Sequence, residues 1–289
     1  MNTDIRLATI SDSDDCGRII YNAFKKTAND YGFPCDFPSL QFANLFSKYL
    51  ISSPSIFCVA AEVDKQVVGV NFLHEKYPIR SVGPICIDAK FQGQGIGRRL
   101  MEFILERAKD NPAGIRLVQD AFNITSMSLY TSLGFEIKET LVLMNGSPTS
   151  GKIKDHLEIH TLKNFDLNQC ASLCQKVNGF DRVLDLEEAQ NHHSPFIVKR
   201  EGRITGYAAA MTNWMLNHCV GETEEDMKAM ILGIGKIIDR PLSFLLPTRH
   251  ARLFRWCLNH NMRLVKPLTL MGMGPYQNPR GFYFPSATF

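Results

Sequence analysis

Apolar and polar residues alternate along the first half of the chain in a pattern typical of a mixed α/β fold. The pattern predicts strands near residues 4–8, 56–63, 67–76, 81–88 and 115–120, with two more between 135 and 144. It predicts helices over residues 12–26, 95–109 and 126–133, the last of them stopped by Gly134. Between 33 and 55, prolines leave room for a helix only in the middle.

Three segments of the first half resemble segments of the second half that occur in the same order. The spacing from Thr9 to Asp14 recurs from Thr161 to Asp166, two strand–turn–strand patterns carry Gly69 and Gly206, and LYTSLGFEIKETLVLM resembles LFRWCLNHNMRLVKPLTLM. Residues 146–152 between the halves have the composition of a linker. The sequence therefore predicts two related domains, residues 1–145 and 153–289, each large enough for its own core.

Composition bears mainly on location and on the partners that can be excluded. The 289 residues are 45% hydrophobic, without an apolar run of about 20 residues, and the acidic N-terminus does not resemble a signal peptide. We therefore expect a cytoplasmic protein with no membrane partner. A scattered net charge of +3 argues against nucleic acid. The eight cysteines lack the spacing of a zinc site, so we expect buried free thiols and no metal.

The segment FQGQGIGRRL, residues 91–100, places three glycines between a predicted strand and a predicted helix. A helix N-terminus presents unpaired N–H groups and the positive end of the helix dipole, so it can bind phosphate. Glycine removes side chains that would keep a phosphate away. The spacing fits neither the dinucleotide fingerprint, since Arg98 or Leu100 stands where its last glycine belongs, nor a Walker loop. The glycines alone indicate either a phosphate site or a structural turn.

Two motifs make the first half similar to the GCN5-related N-acetyltransferase (GNAT) superfamily. In ICIDAKFQGQGIGRRL, Gln92, Gly95 and Gly97 match the family's Q/R-x-x-G-x-G/A, and in NITSMSLYTSLGF, Asn123 and Tyr130 stand in its second motif. The chain resembles the tandem type of this family. The resemblance implies two α/β domains, each with a mixed, mostly antiparallel central sheet flanked by helices, and acetyl-CoA or another short acyl-CoA as co-substrate without a metal.

The resemblance also implies roles for individual residues. Main-chain groups of a strand would pair with the pantetheine arm, N–H groups of the glycine segment would hold the pyrophosphate, and an asparagine would lie beside the cofactor. These expected cofactor-binding residues are Ile85, Cys86, Ile87, Gln92, Gly93, Gln94, Gly95, Ile96, Gly97, Arg98 and Asn123.

Catalysis would need an acid and a base. Tyr130 would lie near the sulfur and protonate the leaving thiolate, although a tyrosine on a short helix can also be a core aromatic. The attacking amine must lose a proton, directly or through water. His74, Glu75, Asp88 and Asp120 are candidates for the base, and the sequence does not separate them.

The second half departs from this pattern. In HCVGETEEDMKAMI, Thr223 and Asp226 predict a capping box, and the acidic residues there would repel phosphate. Phe254, at the position that echoes Tyr130, has no hydroxyl to give a proton. We therefore expect a degenerate second domain without cofactor, which completes the substrate cleft or stabilises the first domain, with GFYFPSATF as its last strand.

The expected function is transfer of an acetyl group to a primary amine of a small molecule, by direct attack in a ternary complex. The alternatives are a protein lysine or N-terminus as acceptor, and a non-catalytic acyl-CoA sensor. Acceptor identity must come from other segments, including the aromatic residues between 27 and 55, which either wall an apolar pocket or form a core helix with its turn. The sequence does not predict the oligomeric state.

Overall fold

The structure is a computed structural model that describes residues 3–111, 113–148 and 151–289. The chain divides into two compact units. The first comprises Met1–Glu136 with Met271–Pro275 and Thr288, and the second comprises Ile137–Leu270 with Tyr276–Ala287 and Phe289. Each unit is a sheet with helices packed on it. None of the helices in the described ranges is long and apolar enough to cross a membrane.

The described residues up to 132 supply six strands and four helices. In chain order they are β1 (Asp4–Leu7), α1 (Ser13–Tyr31), α2 (Leu40–Ser52), β2 (Ile56–Val63), β3 (Gln66–His74), β4 (Arg80–Val82), β5 (Cys86–Ile87), α3 (Ile96–Ala108), β6 (Ile115–Asp120) and α4 (Ile124–Ser132). Short 3₁₀ turns cover Ile10–Asp12 and Ala89–Phe91.

The remainder of the chain repeats this order of elements. It contains β7 (Glu136–Gly146), β8 (Leu157–Thr161), α5 (Leu167–Asn178), α6 (Val183–His192), β9 (Phe196–Arg200), β10 (Arg203–Ala208), β11 (Cys219–Gly221), α7 (Glu224–Ile237), β12 (Leu242–Pro247), α8 (Ala251–Leu258), β13 (Met262–Met273) and β14 (Phe282–Phe284). From β8 to β13 the sequence of strands and helices follows that from β1 to β7, with β11 in the place of β4 and β5.

In the first unit the strands lie in the order β1-β2-β3-β4-β6, and β6 neighbours β13, whose last residues Met271–Met273 belong to this unit. The pairs are antiparallel except β4 with β6, which is parallel. One face carries α3 through the buried residues Leu100 and Ile104, and the other carries α1 and α2 through residues such as Ile20 and Leu50. The mixed, mostly antiparallel sheet of the predicted fold class is confirmed.

In the second unit, five strands form the order β14-β11-β10-β9-β8, all in antiparallel pairs. The strands β13, β7 and β12 are also neighbours in that order. The long helix α7 packs its buried face, which includes Met230 and Ile234, into the main apolar cluster of this unit. The strand–turn–strand pattern around Gly206 and the final strand predicted from GFYFPSATF are therefore confirmed.

The compact units modify the contiguous division into residues 1–145 and 153–289. Strand β7 ends the first half of the sequence, but all of it beyond Glu136 belongs to the second unit, where Leu141–Gly146 pair with β12. Conversely, Met271–Met273 at the end of β13 belong to the first unit. The expected linker, 146–152, begins with the last residue of β7, and its residues 149 and 150 lie outside the described part of the chain.

Three local expectations also need correction. Helix α1 continues to Tyr31, because the residue that ends it is Gly32 with a φ of 72°. The strand expected over 81–88 is two short strands, β4 and β5, separated at Gly83, which has a φ of 132°, and Pro84, which has no N–H to donate. The two strands expected between 135 and 144 are one, β7, because no residue there turns the chain.

The structure shifts two of the sequence echoes. The 3₁₀ turn that opens each copy ends in a buried aspartate at Asp12 and at Asp166, so Asp166 corresponds to Asp12 and not to Asp14. The counterpart of Tyr130 is Cys257 and not Phe254. Strands β6 and β12 have equal length. In both copies, the same number of residues separates the end of this strand from the residue before the helix, Asn123 or His250, and that residue from the left-handed residue after the helix, Gly134 or Asn261.

Candidate functional site

The central feature of the first unit is an edge of β5 beside which none of the described strands lies. Strand β4 pairs with β6 through Arg80 and Ser81, but after the break at Gly83 the chain continues as β5, which pairs with β3. Among the described strands, β3 is the only partner of β5. The sheet therefore opens between β5 and β6 after two paired residues.

The backbone of β5 presents alternate residues to this opening. The N–H of Asp88 donates to the carbonyl of Val68 on β3, at 2.8 Å. Because successive peptide groups of an extended strand point to opposite sides, the backbone groups of Ile87 and Ile85 face the opening, whereas those of Cys86 face β3. In agreement, the Ile87 carbonyl accepts a hydrogen bond from the Gln92 side chain, at 3.1 Å, and not from β3.

The glycine segment follows β5 directly. Asp88 caps the 3₁₀ turn by accepting a hydrogen bond from the N–H of Lys90, and the Gln94 side chain donates to the Lys90 carbonyl. Gly93 and Gly95 have φ values of 76° and 80°, in the left-handed region that favours glycine. A Cβ built on either residue would have no heavy atom within 4 Å. The chain therefore turns here with an open, uncovered face.

Helix α3 begins at this face without a side-chain cap. Gly95 is its N-cap residue and has no side chain to bond the first turn, so the N–H groups of Ile96, Gly97 and Arg98 have no partner within the helix. The positive end of the helix dipole lies at the same place. Gly97 faces inward, because a Cβ there would lie 3.5 Å from the Leu129 side chain. The side chain of Arg98 donates to Ser132 on α4, at 2.6 Å.

Helix α4 carries the two remaining predicted site residues. Asn123 is its N-cap, and its side-chain oxygen accepts a hydrogen bond from the N–H of Ser126, at 3.1 Å. Tyr130 is 6% exposed. Burial raises the pKa of Tyr130 well above 10, nearby Cys86 on β5 raises it further, and a hydrogen bond with the Ser126 side chain partly offsets this. The phenol therefore stays protonated at neutral pH.

Two of the four candidate bases are carboxylates that contact arginines. Glu75 is held by Arg80 at 3.0 Å and by Arg107 at 3.3 Å. Asp88 caps the 3₁₀ turn and lies 3.4 Å from an Arg18 nitrogen. Both carboxylates are thus engaged by partners within the protein.

The other two candidates flank the opening of the sheet. The Nε2 atom of His74, at the end of β3, donates to the carbonyl of Gly83, at 2.8 Å, because a carbonyl can only accept. This bond places the imidazole at the break between β4 and β5. Asp120 is the last residue of β6 and is half-buried.

The sequence did not single out Phe122, which lies immediately before Asn123. Its ring stacks on Phe33 with centroids 4.3 Å apart and contacts Tyr31 at 5.1 Å. Other aromatic residues of the same segment belong to the core, including Phe37, which is 3% exposed. The core interpretation of the aromatic segment thus applies to Phe37, and the pocket interpretation stays a prediction for Tyr31 and Phe33. Only the position of Phe122 beside a motif asparagine could have indicated its place.

The cysteines and metal ligands can be described briefly. All eight cysteines are free thiols, and seven of them are buried, so that expectation is confirmed. Burial raises the pKa of the Cys58 thiol to about 12, so this thiol is not a nucleophile at neutral pH. Within residues 3–111, 113–148 and 151–289, no cluster of three or more His, Cys, Asp or Glu side chains is placed to hold a metal.

The site as a whole suits an extended ligand that carries phosphate. The open edge of β5 can pair with amide groups, and the uncapped start of α3 can accept an anion. Residues 20–135 of the chain match the family model described as "Acetyltransferase (GNAT) family". This match supports acyltransferase as the general class of that part of the chain.

Solved structures of the same fold cover nearly the whole chain. A candidate acetyltransferase from Pyrococcus horikoshii is 18% identical with a TM-score of 0.74, and the match covers 99% of this chain and 96% of that one. A GCN5-related N-acetyltransferase from Sphaerobacter thermophilus is 14% identical with a TM-score of 0.68, covering 97% and 98%. A search of curated proteins gives no significant match. At these identities the likeness shows the fold.

Proposed function

We propose that this protein is an N-acetyltransferase that moves an acetyl or other short acyl group from acyl-CoA to a primary amine of a small molecule. The observation that carries the proposal is the uncapped N-terminus of α3, reached through Gly93 and Gly95, beside the open edge of β5. Because both glycines lack a side chain, a pyrophosphate has space against the bare backbone.

The expected binding residues have distinct parts in this proposal. Ile85 and Ile87 offer their main-chain groups to the amides of the pantetheine arm, and Cys86 keeps β5 bonded to β3. The N–H groups from Gly93 to Arg98 hold the pyrophosphate. Asn123 spends its side-chain oxygen on the helix cap, which leaves its amide N–H₂ to donate to the ligand.

The reaction is an attack of an amine nitrogen on the thioester carbonyl within a ternary complex. The C–N bond forms, the C–S bond breaks, and the thiolate of CoA takes up a proton. Tyr130 is the proposed donor of that proton, because it packs in the same apolar cluster as Ile85 and Ile87 and is protonated at neutral pH. The amine loses its proton to a base, for which His74 and Asp120 are the candidates at the opening.

The acceptor amine is proposed to enter near Tyr31, Phe33 and Phe122. These rings cluster in the first unit next to Asn123, and aromatic faces attract ammonium and apolar groups alike. Phe33→Ala should raise the KM for the amine about 10-fold, the cost of roughly one lost aromatic contact, while kcat changes little. Phe42→Ala, at an exposed phenylalanine of α2, is the matched control. A KM unchanged by Phe33→Ala would remove this cluster from the acceptor site.

A transfer screen tests the activity itself. Acetyl-CoA is incubated with polyamines, amino acids, aminoglycosides and peptides, and free thiol release is measured. Turnover of a small amine, with initial-rate patterns of a ternary complex, is the expected result. Turnover of peptides alone would favour a protein acceptor. Tight acetyl-CoA binding without turnover on any amine would favour a sensor and contradict the proposal.

Location in the cytoplasm is part of the same proposal. The eight cysteines are free thiols, and acyl-CoA is an intracellular substrate. Expression with a fluorescent tag, followed by fractionation, would test this directly. Recovery of the protein with membranes or in the medium would contradict it.

A further inference from the structure

Strand β14 has no counterpart among the described strands of the first copy. The order strand, two helices, strands, helix, strand, helix, strand describes both copies, from β1 to β7 and from β8 to β13. β14 follows as an addition at residues Phe282–Phe284, and the segment 276–287 that contains it belongs to the second unit. Its position in that unit can be compared with what lies at the same place in the first copy.

The register identifies β11 as the counterpart of β5. Gly69 on β3 pairs with Ile87 on β5, and Gly206 on β10 pairs with Gly221 on β11. One residue further on, the N–H of Asp88 donates to Val68, and in the second copy the N–H of Glu222 donates to Thr205, at 2.9 Å. The inner edges of β5 and β11 are thus bonded in the same way.

The outer edges of these two strands differ. Among the described strands, none lies beside the outer edge of β5. In contrast, β11 pairs along its outer edge with β14, Cys219 with Phe284 and Gly221 with Phe282. β14 therefore lies where the first copy leaves the edge open.

A side-chain contact marks the same place. His250 corresponds to Asn123, since each directly precedes the helix that follows the equivalent strand, β12 or β6. The Phe282 ring stacks on His250 with centroids 4.2 Å apart and planes 25° apart. Phe284 is fully buried and stacks on Phe244, at 4.9 Å. β14 is thus packed into the second copy by its side chains as well as by its backbone.

We propose that Phe282–Phe284 permanently occupy the groove of the second copy that corresponds to the pantetheine-binding groove of the first copy. This inference rests on the proposed function for the identity of the first copy's ligand. A tethered strand has an effective concentration of about millimolar or more, so acyl-CoA from solution competes poorly for the same edge of β11. The second copy is therefore closed by a segment of its own chain.

Hydrogen exchange of the full chain, followed by mass spectrometry with and without acetyl-CoA, tests this inference. Residues 219–221 should be protected equally in both states, while residues 85–87 should exchange about 10-fold or more slowly once acetyl-CoA is bound. Slower exchange at 219–221 on adding acetyl-CoA would overturn the inference, as would exchange there as fast as at 85–87 in the free protein. No protection at 85–87 would instead contradict the proposed function.

A pair of variants sharpens the test. Phe282→Pro removes the N–H that faces Gly221 and should speed exchange at 219–221, whereas Phe282→Ala keeps that N–H and should have a smaller effect. Both should still bind one acetyl-CoA per chain. Equal exchange in the two variants and the wild type would overturn the pairing. Should the proline variant fail to fold, the wild-type measurement decides alone.

Discussion

Helix α3 follows β5 and helix α7 follows β11, the counterpart of β5, yet the N-termini of the two helices differ in charge and in capping. Helix α3 starts at Ile96, after a loop with Gly93 and Gly95, and no side chain caps it. Helix α7 starts at Glu224, almost directly after β11, and a capping box of Thr223 and Asp226 closes it. The capping box expected from the sequence is therefore confirmed.

The first turn of α7 is filled by the protein's own groups. Asp226 is fully buried, accepts hydrogen bonds from the N–H and hydroxyl of Thr223, and binds Arg200 at 2.6 Å. A carboxylate at this position takes the interactions that a phosphate would need. The comparison teaches that a helix start becomes a ligand site only when the chain leaves its N–H groups and the space before them open.

The same contrast holds at the reacting end. Tyr130 has a phenol beside β5, whereas its counterpart Cys257 is a buried thiol whose pKa is raised to about 12 by burial. The correction from Phe254 to Cys257 leaves the second copy without a tyrosine at this position. We therefore keep, as a proposal, the assignment of binding and catalysis to the first copy and a degenerate role to the second.

The largest expected effect comes from closing the helix start of the first copy. Gly95→Val places a β-branched side chain at a φ of 80°, in the space proposed for the pyrophosphate. Affinity for CoA should fall by about 100-fold or more, because several hydrogen bonds to a charged group, each contributing about 1.5–3 kcal/mol, are lost. Isothermal titration calorimetry measures this, with about one site per chain expected in the wild type.

A glycine of the second copy supplies the matched control for that change. Gly202 has a φ of 77° and equally open surroundings in the β9–β10 turn. Gly202→Val should introduce similar backbone strain and leave CoA affinity unchanged. Equal loss of affinity in both variants would attribute the effect to strain, and two CoA sites per wild-type chain would contradict the asymmetry between the copies.

The next largest effect is expected at Tyr130. Tyr130→Phe removes the proposed proton donor, so kcat should fall about 100-fold while the Kd for acetyl-CoA changes less than about 3-fold. Tyr207→Phe is the control, because Tyr207 is a fully buried tyrosine of the second unit that hydrogen-bonds His218 at 3.1 Å. It should lower stability without lowering kcat. Unchanged turnover in Tyr130→Phe would exclude the acid role.

A smaller effect is expected at Glu222, an acidic residue between β11 and α7, where the first copy has its glycine segment. Hydrogen bonds from Arg203 and Lys176 lower the pKa of Glu222 from 4.5 to about 2. Since the folded-state pKa is depressed, the stabilisation is present above pH 4.5 and is lost as the pH falls toward 2. Glu222→Gln should therefore lower the free energy of unfolding by about 1–2 kcal/mol at pH 7, a value discounted for the exposed partners, and by much less near pH 3.

Tryptophan fluorescence during urea unfolding measures the free energy of unfolding of the second unit, which contains Glu222. Both tryptophans, Trp214 and Trp256, lie in the second unit. The control is Glu225→Gln, at an exposed carboxylate of α7 paired with Lys154, which should have a smaller effect. A loss of stability that stays constant between pH 7 and pH 3 would contradict the ionic explanation.

The smallest effect is expected at Gly97, the third glycine of the loop. A Cβ there would make ordinary contacts, 3.5 Å to Leu129 and 3.9 Å to Ile87, and its φ is not left-handed. Gly97→Ala should raise stability by about 0.5–1 kcal/mol through helix propensity and change CoA affinity less than about 3-fold. Thermal unfolding and calorimetry test this. A large loss of affinity would mean that Gly97, like Gly95, must leave space for the ligand.

Point variants are preferable to separated domains for all these tests. A chain cut after residue 145 would lack Met271–Pro275, which belong to the first unit, where Gly114 approaches the Met273 carbonyl. Such a fragment would test the integrity of its sheet as much as its activity. Comparison of the two copies is therefore best made within the full chain.

The sequence by itself determined the features that depend on near neighbours along the chain. Strand β2 was predicted over 56–63 and has those bounds, the helix after the glycines is within one residue of its prediction, and the capping box at Thr223 follows from residues three positions apart. The motifs around Gly95 and Tyr130 likewise lie in short segments. Local sterics and hydrogen bonds are sufficient to specify such features.

Only the tertiary structure decided which distant strands pair. The assignment of β7 to the second unit, the pairing of β14 with β11 and the aromatic contact between Phe33 and Phe122 each join residues far apart in the sequence. The register that makes Cys257 the counterpart of Tyr130 also needed the helix caps and strand ends. Such contacts depend on which apolar surfaces are buried together, and a pattern of neighbouring residues does not specify that choice.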